Sequence, residues 1–405
     1  MTKKTHVRGS DIQGLGRLAV EATLGLTNLV ETMHHNILRR PGPLGEATQE
    51  STNGLTGLVY RTIRGVTRLV GGSLDALLVQ LAPLLSGVTP SFERDAVLAA
   101  LNGVLGDHLA ASRNPLAIEM SLRHEGKPLD LERAALARTI ARPTGRIVLL
   151  VHGLCMNDLQ WRRNGHDHGA ALATERGFTP VYLRYNSGLH ISNNGREFAG
   201  LLATLKGEWP VEVERIVVVA HSMGGLVARS ACRHAAAHAH APDRDWLKST
   251  SDIFFLGTPH LGAPLERGGN WIDLMLDASP YTTAFARLGK LRSAGITDLR
   301  HGSLCDQDWQ RRDRFARAPH APLHVPLPEG ARCHAIAASL AKRADDLRER
   351  LLGDGLVPLA SALGQSRQAG RRLAIPKSRQ WVRHGINHLD LLGDRKVYEH
   401  IRDAL

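Results

Sequence analysis

Two spacings of apolar residues divide the chain. Up to residue 114 the apolar positions recur every three or four residues, as on one face of a helix. Leu15, Leu18, Ala22, Leu26, Leu29, Met33 and Ile37 form one such stripe, closed by Pro41-Gly42-Pro43. Leu58, Ile63, Val66, Val70, Leu74, Leu77, Leu81 and Leu85 form a second. Ser91 suits the N-cap of a third helix carrying Val97, Leu101, Val104 and Leu105. Gly65, Gly71 and Gly72 lower the propensity of the second stripe and point to close helix contacts or a break.

From about residue 115 the period changes. Ile118, Met120 and Leu122 alternate with polar residues and Gly126 marks a turn, which predicts a hairpin. Short apolar runs follow: RIVLLVHG, PVYLRYN, RIVVVAHS, DIFFLGTPH and CHAIAAS. Continuous apolar runs of this length suit parallel strands buried on both faces. Helical stretches separate the first four, so an α/β fold with a mostly parallel sheet is expected. A last strand is expected over RQWVRHGI and a helix at the C-terminus. Residues 263 to about 327 interrupt this order. They carry Trp271, Ile272, Leu274, Met275, Leu276, Tyr281, Phe285 and Leu288, and read as a helical cap or lid. The expected division is thus a helical extension over 1–114 and an α/β domain over 115–405, with the cap at 263–327.

Composition adjusts this picture in few places. The chain has 405 residues, 43% of them hydrophobic, ample for a core larger than a small domain needs. The formal net charge is +12 and the pI about 10.0. The basic residues are spread along the chain with no long block, which favours a solvated basic surface, and no nucleic-acid motif accompanies them. Cys155, Cys232, Cys305 and Cys333 match neither a zinc signature nor a dense disulfide framework, so free thiols are expected. The first residues lack an uninterrupted apolar core and a small-residue cleavage site. No stretch reaches the roughly 18 uncharged apolar residues of a membrane span. A cytoplasmic location is the expectation.

The chemistry concentrates at loops after the apolar runs. RIVVVAHSMGG drives a buried strand into His221-Ser222-Met223-Gly224-Gly225, and a helix follows. A serine on such a strand–turn–helix elbow stands exposed at the sheet edge, with the N-terminal amides of the helix behind it. Ala220 replaces the first Gly of G-x-S-x-G and is the smallest alternative. In LLVHGLCMND the strand ends at His152-Gly153, and the N–H of Leu154 is expected to pair with that of Met223 as oxyanion donors. His152 itself reads as a loop-holding side chain. Asp354, between Gly353 and Gly355, is the candidate acid, set against an ordinary Asp-Gly turn. His388 in GINHLDLLGD is the candidate base. With 21 histidines in the chain, its position after the last strand singles it out. Apart from His152 and His388 the histidines, among them His234, His238 and His240, read as surface residues.

Ordered along the chain, HGLCMND, AHSMGG, GTPHLGAP, GDGLVPLASALG and NHLDLL resemble the bacterial true lipases of the α/β-hydrolase superfamily. They also resemble the esterases grouped with glycosylphosphatidylinositol-deacylase-like hydrolases. The resemblance implies an α/β-hydrolase fold, Ser222 as nucleophile, Asp354 as acid, His388 as base, and Leu154 and Met223 as oxyanion donors. It implies that Gly257-Thr258-Pro259-His260 shapes an acyl pocket. Some members bind calcium through the Asp of NHLD, here Asp390, but the sequence identifies no second carboxylate, and neither metal nor cofactor is expected. The helical first 114 residues have no counterpart in those lipases.

The expected function is hydrolysis of a carboxylic ester, with an ester or acyl-chain lipid as substrate. An acyltransferase or thioesterase using the same residues stays open, as does a non-catalytic binding protein docked on a membrane. The first 114 residues have three readings: a helical extension packed on the following domain, an amphipathic module giving peripheral membrane contact, or a partner-binding arm.

Overall fold

The computed structural model describes residues 92–237, 245–263, 293–310, 322–342 and 353–405. The two N-terminal stripes, most of the expected cap including Trp271 to Leu288, the stretch 343–352 ahead of Gly353, and His238 and His240 lie outside the described residues. The chain divides into two compact units, Met1–Arg94 with Leu109–Ala117, and Asp95–His108 with Ile118–Leu405. In the first, the Asn114 N–H donates to the Leu109 carbonyl (2.9 Å) and the Asn114 side chain accepts from the Leu116 N–H (2.9 Å).

The second unit is built on an eight-stranded sheet in the order β2-β1-β4-β3-β5-β6-β7-β8. Its strands are β1 (Ser121–His124), β2 (Lys127–Pro128), β3 (Arg146–Val151), β4 (Thr179–Arg184), β5 (Arg215–His221), β6 (Thr250–Leu256), β7 (Arg332–Ser339) and β8 (Gln380–His384). β1 runs antiparallel to β2 and β4, and the other pairings are parallel. The Val, Ile and Leu runs of β3 and β5 are buried on both faces, as their lack of alternation predicts. Only the hairpin starts later than its alternation suggests: Ile118 and Met120 precede the strand, and Leu122 alone is buried within it. This is the α/β-hydrolase arrangement.

Helices cover the sheet. α1 (Phe92–Ala111), α2 (Arg133–Thr139), α3 (His168–Arg176) and α4 (Ile191–Glu208) come before β5 in the chain. α5 (Met223–Ala237) and α6 (Asp245–Ser249) link β5 to β6, and α7 (Ala294–His301) and α8 (Asp306–Trp309) precede β7. α9 (Leu359–Ala362) follows β7, and α10 (Arg395–Ala404) closes the chain. α4 and α5 pack on each other, and α10 packs on α3. The 95–108 stretch of α1 is tied to the sheet edge by polar groups. Asp95 holds Arg184 through both oxygens (2.9 and 3.2 Å), and Asn102 accepts from the Ile118 N–H (2.9 Å). Asn186 donates to the Gly106 carbonyl (2.9 Å). A Cβ on Gly103 would collide with Cys155, so this helix braces the loop after β3.

The histidines correct the surface expectation. His168, His221, His260 and His334 are buried. A neutral imidazole offers a flat apolar face, one donor and one acceptor, and enclosed surroundings can serve all three. His168 Nε2 lies 2.9 Å from the Leu391 carbonyl and Nδ1 3.0 Å from His166, and burial pushes its pKa down to about 4. His334 stacks on Phe254 and meets Asp252 at 3.1 Å. All four cysteines are free and buried.

Candidate active site

β5 delivers the chain to Ser222 with no room for a loop. Ser222 has φ +53°, in the left-handed region that side chains avoid, and is buried. Its N–H still donates to Leu256 at the end of β6 (2.8 Å), while α5 begins at the next residue. The turn is tight because strand and helix nearly touch. A Cβ on Gly224 would collide with the carbonyl oxygens of Val151 and His152, and one on Gly225 with the Thr258 side chain. Met223 is the first residue of α5, where backbone N–H groups find no partner inside the helix.

The loop after β3 comes close from the other side. A Cβ on Gly153 would lie 3.0 Å from the Ser222 Cβ, which places the adjacent, fully buried Leu154 beside the elbow. Cys155 follows with φ +58° and donates its N–H to Ser187 Oγ (3.0 Å). His152 holds this loop, as its side chain was expected to. Its ring stacks on Tyr185 at 4.3 Å, and the Tyr185 hydroxyl donates to the His152 carbonyl (2.9 Å). Burial pushes the His152 pKa down to about 3, so the ring is neutral.

Asp354 sits in a loop whose flanking glycines take φ +54° and +95°. The carboxylate is fully buried. One oxygen accepts from the N–H groups of Leu356 (3.0 Å) and Val357 (2.8 Å); the other meets His388 Nδ1 at 2.6 Å. The His388 N–H also reaches the Asp354 carbonyl (3.2 Å). His388 opens a 3-10 turn, His388–Leu392, capped by Asn387. Facing a carboxylate, its Nδ1 carries the proton and Nε2 is left as an acceptor. That Nε2 is buried and makes no hydrogen bond. The structure therefore joins His388 to Asp354 and leaves the link from His388 to Ser222 unmade.

His221, the residue before the serine, was missed from sequence. Its ring centroid lies 4.6 Å from that of His388, and its Nε2 donates to the His388 carbonyl (3.1 Å). Burial, with His388 beside it, holds its pKa well below the usual range. Adjacency to Ser222 was the only available signal. A Cβ on Gly257 would lie 2.9 Å from His388 Cε1, so this glycine admits the ring from the β6 side. Asp390, the carboxylate considered for a cation, accepts from the Asn387 N–H (3.1 Å) and faces Arg163 at 3.9 Å. Among the described residues no group of three or more potential metal ligands occurs.

This elbow lies inside a segment with known relatives. Residues 202–326 match the PGAP1-like alpha/beta domain family. The PGAP1-like segment takes in Ser222 and Met223 and ends before Asp354 and His388. Solved structures similar to the chain include lipases and esterases. Bacillus licheniformis lipase BlEst2 in mature form is 15% identical, with a TM-score of 0.42 over 71% of this chain and 97% of that one. Aspergillus fumigatus lipase B is 11% identical, with a TM-score of 0.38 over 64% and 52%. Legionella pneumophila phospholipase PlaB is 14% identical, with a TM-score of 0.33 over 54% and 45%. No curated protein matches the sequence.

Proposed function

We propose that this protein is a serine hydrolase of carboxylic esters, with an ester or acyl-chain lipid as substrate. The observation that carries the reading is the buried His388–Asp354 pair at 2.6 Å, its ring packed on His221, one residue from a serine at φ +53°. A serine hydroxyl is a weak nucleophile until a base takes its proton. His388 Nε2 is the base, kept in the accepting tautomer by Asp354 at Nδ1. The Ser222 oxygen attacks the ester carbonyl, and the N–H groups of Leu154 and Met223 receive the oxyanion. His388 then protonates the leaving alcohol, and water releases the acyl group by the reverse proton transfers. Each lost oxyanion donor costs about two to three orders of magnitude in turnover.

The test is activity-based labelling. A fluorophosphonate probe is expected to modify the intact protein, and peptide mapping to find the adduct on Ser222. Ser222→Ala is expected to abolish both labelling and p-nitrophenyl ester hydrolysis while circular dichroism is unchanged. An adduct elsewhere, or hydrolysis surviving in the variant, sinks the reading. The acyl-chain part is tested separately, by a p-nitrophenyl series from acetate to palmitate; a steep preference for acetate counts against a lipid substrate. Among the described residues no helix is long and apolar enough to cross a membrane.

A further inference from the structure

Beyond the elbow, α5 carries a charged group inward. Arg229 is 4% exposed. Its Nη2 donates to the Val325 carbonyl (2.6 Å), its Nη1 points at His260 Nδ1 (3.3 Å), and its Nε has no partner. No carboxylate pairs with it among the described residues. The groups around the guanidinium are the thiols of Cys232, Cys305 and Cys333, and burial pushes its pKa down to about 10. It stays charged at neutral pH, and a lone buried cation is costly unless something neutralises it.

His260 shares the arrangement. A guanidinium only donates, so His260 Nδ1 accepts and its proton sits on Nε2. That Nε2–H is also buried without a partner. Both residues line a pocket whose other titratable side chains, among the described residues, are His324 and Arg371, with Leu304 and Leu373 among its apolar walls. Among the described residues four basic ones line it and no acidic one does. Neither Ser222, Asp354 nor His388 lines it.

We propose that this pocket is a subsite for a phosphate group. Phosphate carries a charge of about −1.5 to −2 and three strong acceptor oxygens, which suits one buried guanidinium, one orphan imidazole N–H and two further basic side chains. A single carboxylate leaves part of that basic set unmatched. The inference concerns binding and stands apart from the ester-hydrolase reading. The phosphate comes either free or on the head group of a lipid, and the same site chemistry recognises both.

The experiment is calorimetric titration of the full chain with inorganic phosphate at fixed ionic strength, with sodium acetate and sodium chloride as controls. Saturable binding of phosphate is expected, with acetate at least tenfold weaker. Arg371→Gln and His324→Gln, at half-buried and exposed positions, are expected to weaken binding about fivefold or more without altering the fold. Arg229→Met is expected to lose phosphate binding and the thermal stabilisation that phosphate gives the native protein. A merely structural Arg229 lowers the melting temperature equally with and without phosphate. A second titration, with glycerol phosphate, separates the sources: tighter binding than inorganic phosphate marks a lipid head group, and equal binding marks the free anion. No saturable phosphate signal, or binding unchanged in Arg371→Gln and Arg229→Met, overturns the proposal.

Discussion

Ser222 is held at the elbow, buried and not exposed as the motif suggests, at a cost in backbone strain. At φ +53° the cost for an L-residue is about 1–2 kcal/mol, and glycine is free of it. Two inactive variants separate strain from chemistry. Ser222→Gly is expected to be more stable than Ser222→Ala by about 1 kcal/mol in urea denaturation. Equal midpoints would remove strain from the account of this turn. Asp354 gives a second residue-scale prediction. Its carboxylate accepts three hydrogen bonds, one of them from His388 Nδ1. In Asp354→Asn an amide N–H can face that nitrogen, and the ring then takes the tautomer that blocks Nε2 as a base. We expect kcat for p-nitrophenyl esters to fall by about 10⁴ with the fold intact. A drop below tenfold would mean that Asp354 does not orient the base.

At the scale of elements, what was legible in the sequence is what short-range pattern controls. The buried runs of β3 to β7 give uninterrupted apolar strings, and Gly353 and Gly355 announce a tight loop around Asp354. The approach of that loop to His388 was readable only through chain order, because nothing local says which of 21 histidines turns inward. The burial of Arg229 and His260 escaped for the same reason: each is an ordinary polar residue until α5 and the loop after β6 fold over it. Glycines carry a sharper long-range message, and two of them are expected to respond in opposite directions. Gly224 in α5 has no space for a Cβ against the carbonyls of Val151 and His152. Gly224→Ala should push the helix off β3, cost about 1–3 kcal/mol and slow fluorophosphonate labelling. Gly200, on the exposed face of α4, has nothing within 4 Å. Gly200→Ala should stabilise by roughly 0.5–1 kcal/mol through helix propensity alone. Urea midpoints moving the same way in both variants would contradict the packing at the elbow.

For the whole molecule, buried neutral histidines link stability to pH. His152 and His168 are enclosed without carboxylate partners, and burial pushes their pKa values down to about 3 and about 4. In the unfolded chain both return to about 6.5, so between that pH and their folded values the unfolded state binds more protons. Their contribution is therefore fully present above pH 6.5 and is lost as the pH falls through 4. Asp252, held low by His334, Arg332 and Arg215, has the same sign but acts only below the ordinary carboxylate range. The decline from 6.5 to about 4 thus comes from the histidines, and it is partly offset by Asp158, Glu197 and Asp298, whose carboxyls burial pushes up. At about 1.4 kcal/mol per pH unit, His168 alone accounts for roughly 3 kcal/mol across it. Urea denaturation at pH 7, 5.5 and 4.5 should show this decline in the native protein. His168→Gln keeps a donor for the Leu391 carbonyl and removes the titration. It should be less stable at pH 7 and distinctly flatter below it. A slope identical to the native one would assign the acid sensitivity to other groups.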